Sequence, residues 1–152
     1  MQLLAQQSVR PPAHVRYESE SGSRVDDPAE SELDELLARL DGVDDSFASL
    51  TALDGSGYVQ VGGGPTAFTV ERRDVGADGT FRHFKAAREV HGDVTQRQIV
   101  VGDAEVTVRD DEVLDLRTVC AVFRVFLARH LRAPVADVVV WRDITPMFAS
   151  ED

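Results

Sequence analysis

Leu33, Leu36, Leu37 and Leu40 recur at the three, four and seven spacing of one helix face, with acidic residues between them. Asp27 reads as the residue capping the exposed amides, Pro28 as the first helical position, and Glu30 and Glu32 as complements to the positive helix end. Asp41 and Gly42 stop the pattern, which predicts a helix over residues 28–41 with one apolar stripe and an acidic back. Such a helix lies on a sheet. A second stripe made by Leu116, Val119, Cys120, Phe123, Phe126 and Leu127, ending at His130 or Leu131, predicts a helix over 114–131, with Pro134 beyond its end.

Between the helices the period falls to two. Strand-like runs cover 46–53, 58–61, 67–71, 80–84, 98–101 and 104–109, separated by glycine turns, and Gly102-Asp103 joins the last two as a two-residue hairpin. His14 to Glu18 alternates as a first strand with a short return at Arg24-Val25. The β-branched run Val138, Val139, Val140 ending at Trp141 reads as a buried interior strand. The order predicts an α+β fold, a largely antiparallel sheet of about five to seven strands with two main helices packed on one face. Leu33, Leu36, Leu40, Leu116, Val119, Cys120, Phe123 and Val139 are its expected core.

At 152 residues the chain fits one domain, expected over 13–143, with a flexible leader over 1–12 and an irregular tail over 144–152. The net charge of −11 changes the functional picture most. It opposes direct nucleic-acid and membrane-surface binding and suits a basic protein partner. Fifteen arginines against one lysine, Lys85, fit GC-rich coding better than a choice of arginine forks, with a salt-adapted surface as a third reading. The single cysteine excludes an internal disulfide and a multi-thiolate metal site. With no signal peptide and no membrane-spanning run, a cytoplasmic location is expected.

The apparent motifs do not assemble a catalytic set. Gly62, Gly63 and Gly64 lie between strand-like flanks rather than at a strand-to-helix step, so they read as a hairpin with close backbone approach and not a phosphate loop. Asp54-Gly55-Ser56-Gly57 lacks the glycine spacing of a nucleophile elbow and reads as a turn. His83, His91 and Asp93 lack tight metal-ligand spacing, and His130 suits a helix C-terminus. Cys120 reads as core. No cofactor and no metal are expected. The carboxylate clusters read one by one as solvated loops and caps, and together as a steering field. Asp110, Asp111 and Glu112 are the first partner-binding candidates, and Asp44 and Asp45 the second. Trp141, the only tryptophan, reads as a core or rim plug.

Several stretches resemble the Imm1 family, immunity proteins of bacterial polymorphic toxin systems: the helix from Pro28 through Leu37, the run Tyr58-Val59-Gln60-Val61-Gly62-Gly63-Gly64, the late helix carrying Phe123 to Leu127, and the terminal Val138-Val139-Val140-Trp141. The similarity covers about residues 13 to 143. Arg142 departs from the acidic or amide residue that the family tends to place after the tryptophan. The resemblance implies a cytoplasmic antidote that binds and occludes a cognate toxin, often a deaminase or nuclease, with no chemistry of its own. Two other readings stand beside it. One is a small enzyme or ligand-binding domain with a cleft near the 62–65 hairpin, using groups such as His83, His91, Asp93 and Arg97. The other is a structural adaptor or chaperone component.

Overall fold

Strand β1 (Val15–Ser19) opens a seven-stranded antiparallel sheet in which it pairs with β2 (Arg24–Asp26) on one side and β3 (Phe47–Ala52) on the other. The computed structural model describes residues 12–88, 95–131 and 137–148. From β3 the sheet continues through β4 (Gly57–Gly63), β5 (Phe68–Val75) and β6 (Phe81–Ala87), each hairpin-linked to the last, and closes with β9 (Val140–Asp143). Strands β7 (Gln96–Val101) and β8 (Ala104–Arg109) form a separate two-stranded ribbon turning at Gly102-Asp103. Helices α1 (Glu30–Ala38) and α2 (Leu116–His130) complete the α+β fold.

Alternation decides which face the helices cover. Val15, Tyr17, Leu50, Val59, Val61 and Val70 are buried and point one way, and they join Leu33, Leu37, Val119 and Phe123 of the helices in one cluster. Fully burying a side chain of this size stabilises by about 1.5–3 kcal/mol, so this layer holds the fold. Arg124 on α2 donates to Asp34 on α1, tying the helices across their outer surface. The expected core residues Leu33, Leu36, Leu40, Val119 and Phe123 are buried, while Leu116, Cys120 and Val139 are only partly so. Burial, then the neighbouring Asp34, pushes the Cys120 thiol up to about 11, which keeps it protonated at neutral pH.

Three local expectations change. Asp27 does not cap α1, whose N-cap is Ala29 with no side-chain hydrogen bond. Instead Asp27 adopts a φ of 48° and accepts from the backbone amides of His14 and Val15, closing the β1–β2 hairpin. The run 138–141 is no interior strand: β9 starts at Val140, is the last strand of the sheet and stays partly exposed. Its tryptophan covers the Arg72 guanidinium, which stacks between Phe84 and Trp141 at 4.5 and 4.6 Å from the ring centroids. The segment after residue 144, expected to be irregular, contains a 3-10 turn (Thr145–Phe148) that packs on the sheet. Residues 1–11 of the expected 1–12 leader, together with His91, Asp93 and Pro134, lie outside the described residues.

Candidate functional site

The sheet face turned away from the helices carries polar side chains in register. Antiparallel pairing sets Glu18, Ser49, Gln60, Glu71, Lys85 and Arg142 opposite one another in a single row from β1 to β9. A second row two residues along contains Arg16, Thr51, Tyr58, Arg73 and His83. An exposed sheet face normally alternates this way. Here, however, the face is partly roofed, and the ends of the first row are treated differently.

At the β9 end, the run Asp110, Asp111 and Glu112 forms a 3-10 turn that folds back onto the cations. Glu112 is 6% exposed, accepts from the Arg109 amide at 2.7 Å, lies 3.7 Å from Lys85 Nζ and bonds Arg142. Asp111, equally buried, pairs with Arg109 at 3.2 Å and with Arg142 at 3.7 Å. Asp110 receives Arg88 at 2.8 Å and Arg97 at 3.4 Å. Asp45 is also buried, accepting from the Ser21 amide and hydroxyl. Of the five acids singled out in the sequence, only Asp44 is exposed with no side-chain hydrogen bond among the described residues. An acidic run next to arginines in sequence reads as a solvated patch; the turn geometry makes it an internal counter-charge. Arg97, offered as part of a catalytic set, is likewise engaged with Asp110.

At the β1 end the opposite holds. Glu18, Ser49 and Gln60 make no side-chain hydrogen bond or ion pair to another described residue, except that the Glu18 charge acts on Arg16. Glu71 is fixed from behind. Arg73 Nε donates to His83 Nδ1 at 3.0 Å, so the ring proton is on Nε2, which donates to Glu71 Oε1 at 2.8 Å. His83 is buried, its ring packed 4.7 Å from that of Phe148 and its backbone amide bonded to the Thr145 hydroxyl. This relay spends one Glu71 oxygen and leaves Oε2 with no hydrogen-bond partner among the described residues.

The ribbon supplies a wall above this end. Gly62 and Gly63 let it approach: a Cβ on Gly62 would meet Val101 at 2.6 Å, and one on Gly63 would meet the Ala67 carbonyl at 2.4 Å and Ile99 at 2.7 Å. The glycine run is therefore a packing platform, as close backbone approach predicted. The ribbon tip is held by Ser46, whose hydroxyl donates to Glu20 at 2.7 Å and accepts from the Gly102 amide at 2.6 Å. Between wall and floor lies a cleft of about 500 Å³, with Glu18, Gln60, Thr69 and Glu71 on its polar side and Phe47, Val101 and Val106 on its apolar side. Among the described residues, two carboxylates and no cation line it. Thr69 is 7% exposed and its Oγ1 has no hydrogen-bond partner among the described residues.

Neither glutamate was among the sequence candidates. Alternation places Glu18 and Glu71 on a polar face, but only the strand register brings them to one row. Among the described residues, no group of three or more His, Cys, Asp or Glu is placed to hold a metal ion, and no helix is long and apolar enough to cross a membrane. Comparison with known protein families, with curated proteins and with solved structures gives no match.

Proposed function

We propose that this chain is a binding protein of the immunity type, which occludes a cognate basic toxin of the deaminase or nuclease class in the cytoplasm and performs no chemistry of its own. The observation that carries this reading is the division of its acidic groups. Asp111 and Glu112 are buried against Arg109, Lys85 and Arg142, and Asp110 pairs with Arg88 and Arg97, while the cleft is lined by Glu18 and Glu71 and by no cation among the described residues. Carboxylates that keep a free oxygen next to apolar walls suit a protein surface that brings its own positive charge. The net charge of −11 adds a long-range attraction for such a partner. His83, which is linked to both Arg73 and Glu71, is buried and covered by Phe148 and Thr145.

The test is co-expression with the product of the neighbouring reading frame, followed by size-exclusion chromatography of the pair. The expected result is protection of the cells and a stable complex whose association slows as salt rises, because screening is strong beyond about 8–10 Å near 0.1–0.15 M. No complex and no protection with any linked gene product overturns the immunity reading. Turnover of a small molecule by the pure protein favours the enzyme instead.

A further inference from the structure

We propose that the cleft between the polar row and the ribbon receives an extended segment of a partner protein that presents two cationic side chains about four residues apart, arginines in preference to lysines. This inference rests on the binding reading above and specifies what enters and where.

The cleft runs across the strands, from Glu18 and Ser19 on β1 to Thr69 and Glu71 on β5. Glu18 and Glu71 are in the same register row but three inter-strand steps apart, through Ser49 on β3 and Gln60 on β4. At roughly 4.7–4.9 Å per step, the two carboxylates are anchored about 14 Å apart. An extended chain advances about 3.3 Å per residue and repeats its facing every second residue, so residues about four apart span the same distance on one face. The residue between them on that face lies over Ser49 and Gln60, whose side chains have no partner of their own among the described residues.

The chemistry favours guanidinium. Glu71 offers a carboxylate held in place by the His83 relay, opposite Gln60 one strand away, whose side-chain amide can turn its oxygen to an arriving donor. A planar fork with five donors matches several fixed acceptors better than a point ammonium. The apolar side of the cleft, Phe47 with Val101 and Val106, suits the aliphatic stems of the same side chains and the alternate residues of the segment.

Thr69 supplies an independent sign that the cleft is built for an occupant. Its hydroxyl is buried with no partner among the described residues, at the floor beside Gly62, its register partner on β4. A buried unsatisfied hydroxyl is costly, and rotation about χ1 exchanges its position with the methyl. A polar group arriving in the cleft gives it a partner.

The probe is a short synthetic peptide with two arginines four residues apart in a threonine and valine background, titrated into the full chain and followed by amide chemical shifts and calorimetry. The expected result is saturable binding that shifts the Ser49, Gln60, Thr69 and Val101 amides. Glu18→Gln and Glu71→Gln should each weaken binding by about tenfold or more, and the paired-lysine peptide and a peptide with arginines five apart should bind more weakly than the first. Circular dichroism melts verify that both variants fold. Shifts spread over the acidic surface, affinity insensitive to Glu18→Gln and Glu71→Gln, or equal affinity for free arginine would overturn the proposal. A toxin complex that forms unchanged in those variants refutes this site and leaves the immunity reading standing. Peptide binding without protection from any linked toxin refutes immunity and leaves the site standing.

Discussion

Glu112→Gln is the sharpest test of the charge division that separates the two ends of the sheet. The substitution keeps the side-chain length and an oxygen to accept from the Arg109 amide, but it removes the negative charge facing Arg142 and Lys85. Those cations are only 25% and 16% exposed at the side chain, and Asp111, 3.7 Å from Arg142, is the acid that stays paired with Arg142. Breaking a fully buried pair by removing one partner costs about 3–5 kcal/mol, and an exposed pair is worth about 0–1 kcal/mol. Burial between those limits puts the expected loss at about 2–3 kcal/mol. Equilibrium melts in urea, which does not screen charge as guanidinium does, should show a lower midpoint with an unchanged slope. Adding Arg142→Met should recover part of the loss, because the orphaned cation is then gone, and the double-mutant cycle should give a coupling of about 1 kcal/mol or more. A loss below about 0.5 kcal/mol, together with slower association with a basic partner, would refute the reasoning and return the 110–112 cluster to the interface.

Other outcomes follow from the same contacts. Phe123→Ala, at a fully buried position between helix and sheet, should cost about 3–5 kcal/mol in denaturant melts, and a loss under about 1 kcal/mol would contradict the packing. Ser46→Ala removes the acceptor for the Gly102 amide and one of the two donors to Glu20, so a loss of about 1–3 kcal/mol is expected, with faster hydrogen exchange at Gly102. Stability should fall in acid. Asp41, held low chiefly by the Val43 amide, Asp54 by Ser56, Asp78 by Thr80 and Asp143 by Thr145 all have folded values below the ordinary 3.8. Their contribution is present above that value and is lost as pH drops through the lower folded values, and thermal melts across pH 2–6 should show this fall, those limits being about two units to either side of the aspartate range.

The elements with strong periodicity were legible in the sequence because burial imposes the period directly. Leu33, Leu36 and Leu37 on α1, and Val119, Phe123 and Phe126 on α2, could be placed on a face before any pairing was known. Boundaries were less legible: Asp27 has the composition of a cap, yet the β1–β2 hairpin claims its carboxylate first. Val138 and Val139 look like strand, but pairing starts only where β6 offers a partner to Val140. The site was least legible. Glu18, Gln60 and Glu71 are unremarkable residues in three separate strands, and nothing local signals that they share a row. The acidic run at 110–112, by contrast, is conspicuous in one dimension and neutralised in three.

Ile99 and Val108 of the ribbon form a small apolar cluster with Val113, which follows the 110–112 turn, distinct from the large one beneath the sheet. Under the binding reading proposed above, the apolar wall of the cleft and the main core thus belong to different parts of the chain. Inward-facing positions such as Val101 and Val106 shape the roof of the cleft without entering the main layer of leucines and phenylalanines. A lineage under pressure to change partners can exchange those few side chains and keep the same scaffold, as long as Gly62 stays small enough to seat them. Under that reading, drift in apolar specificity is expected on β7 and β8, and the helices and the buried face of the sheet are expected to change slowly.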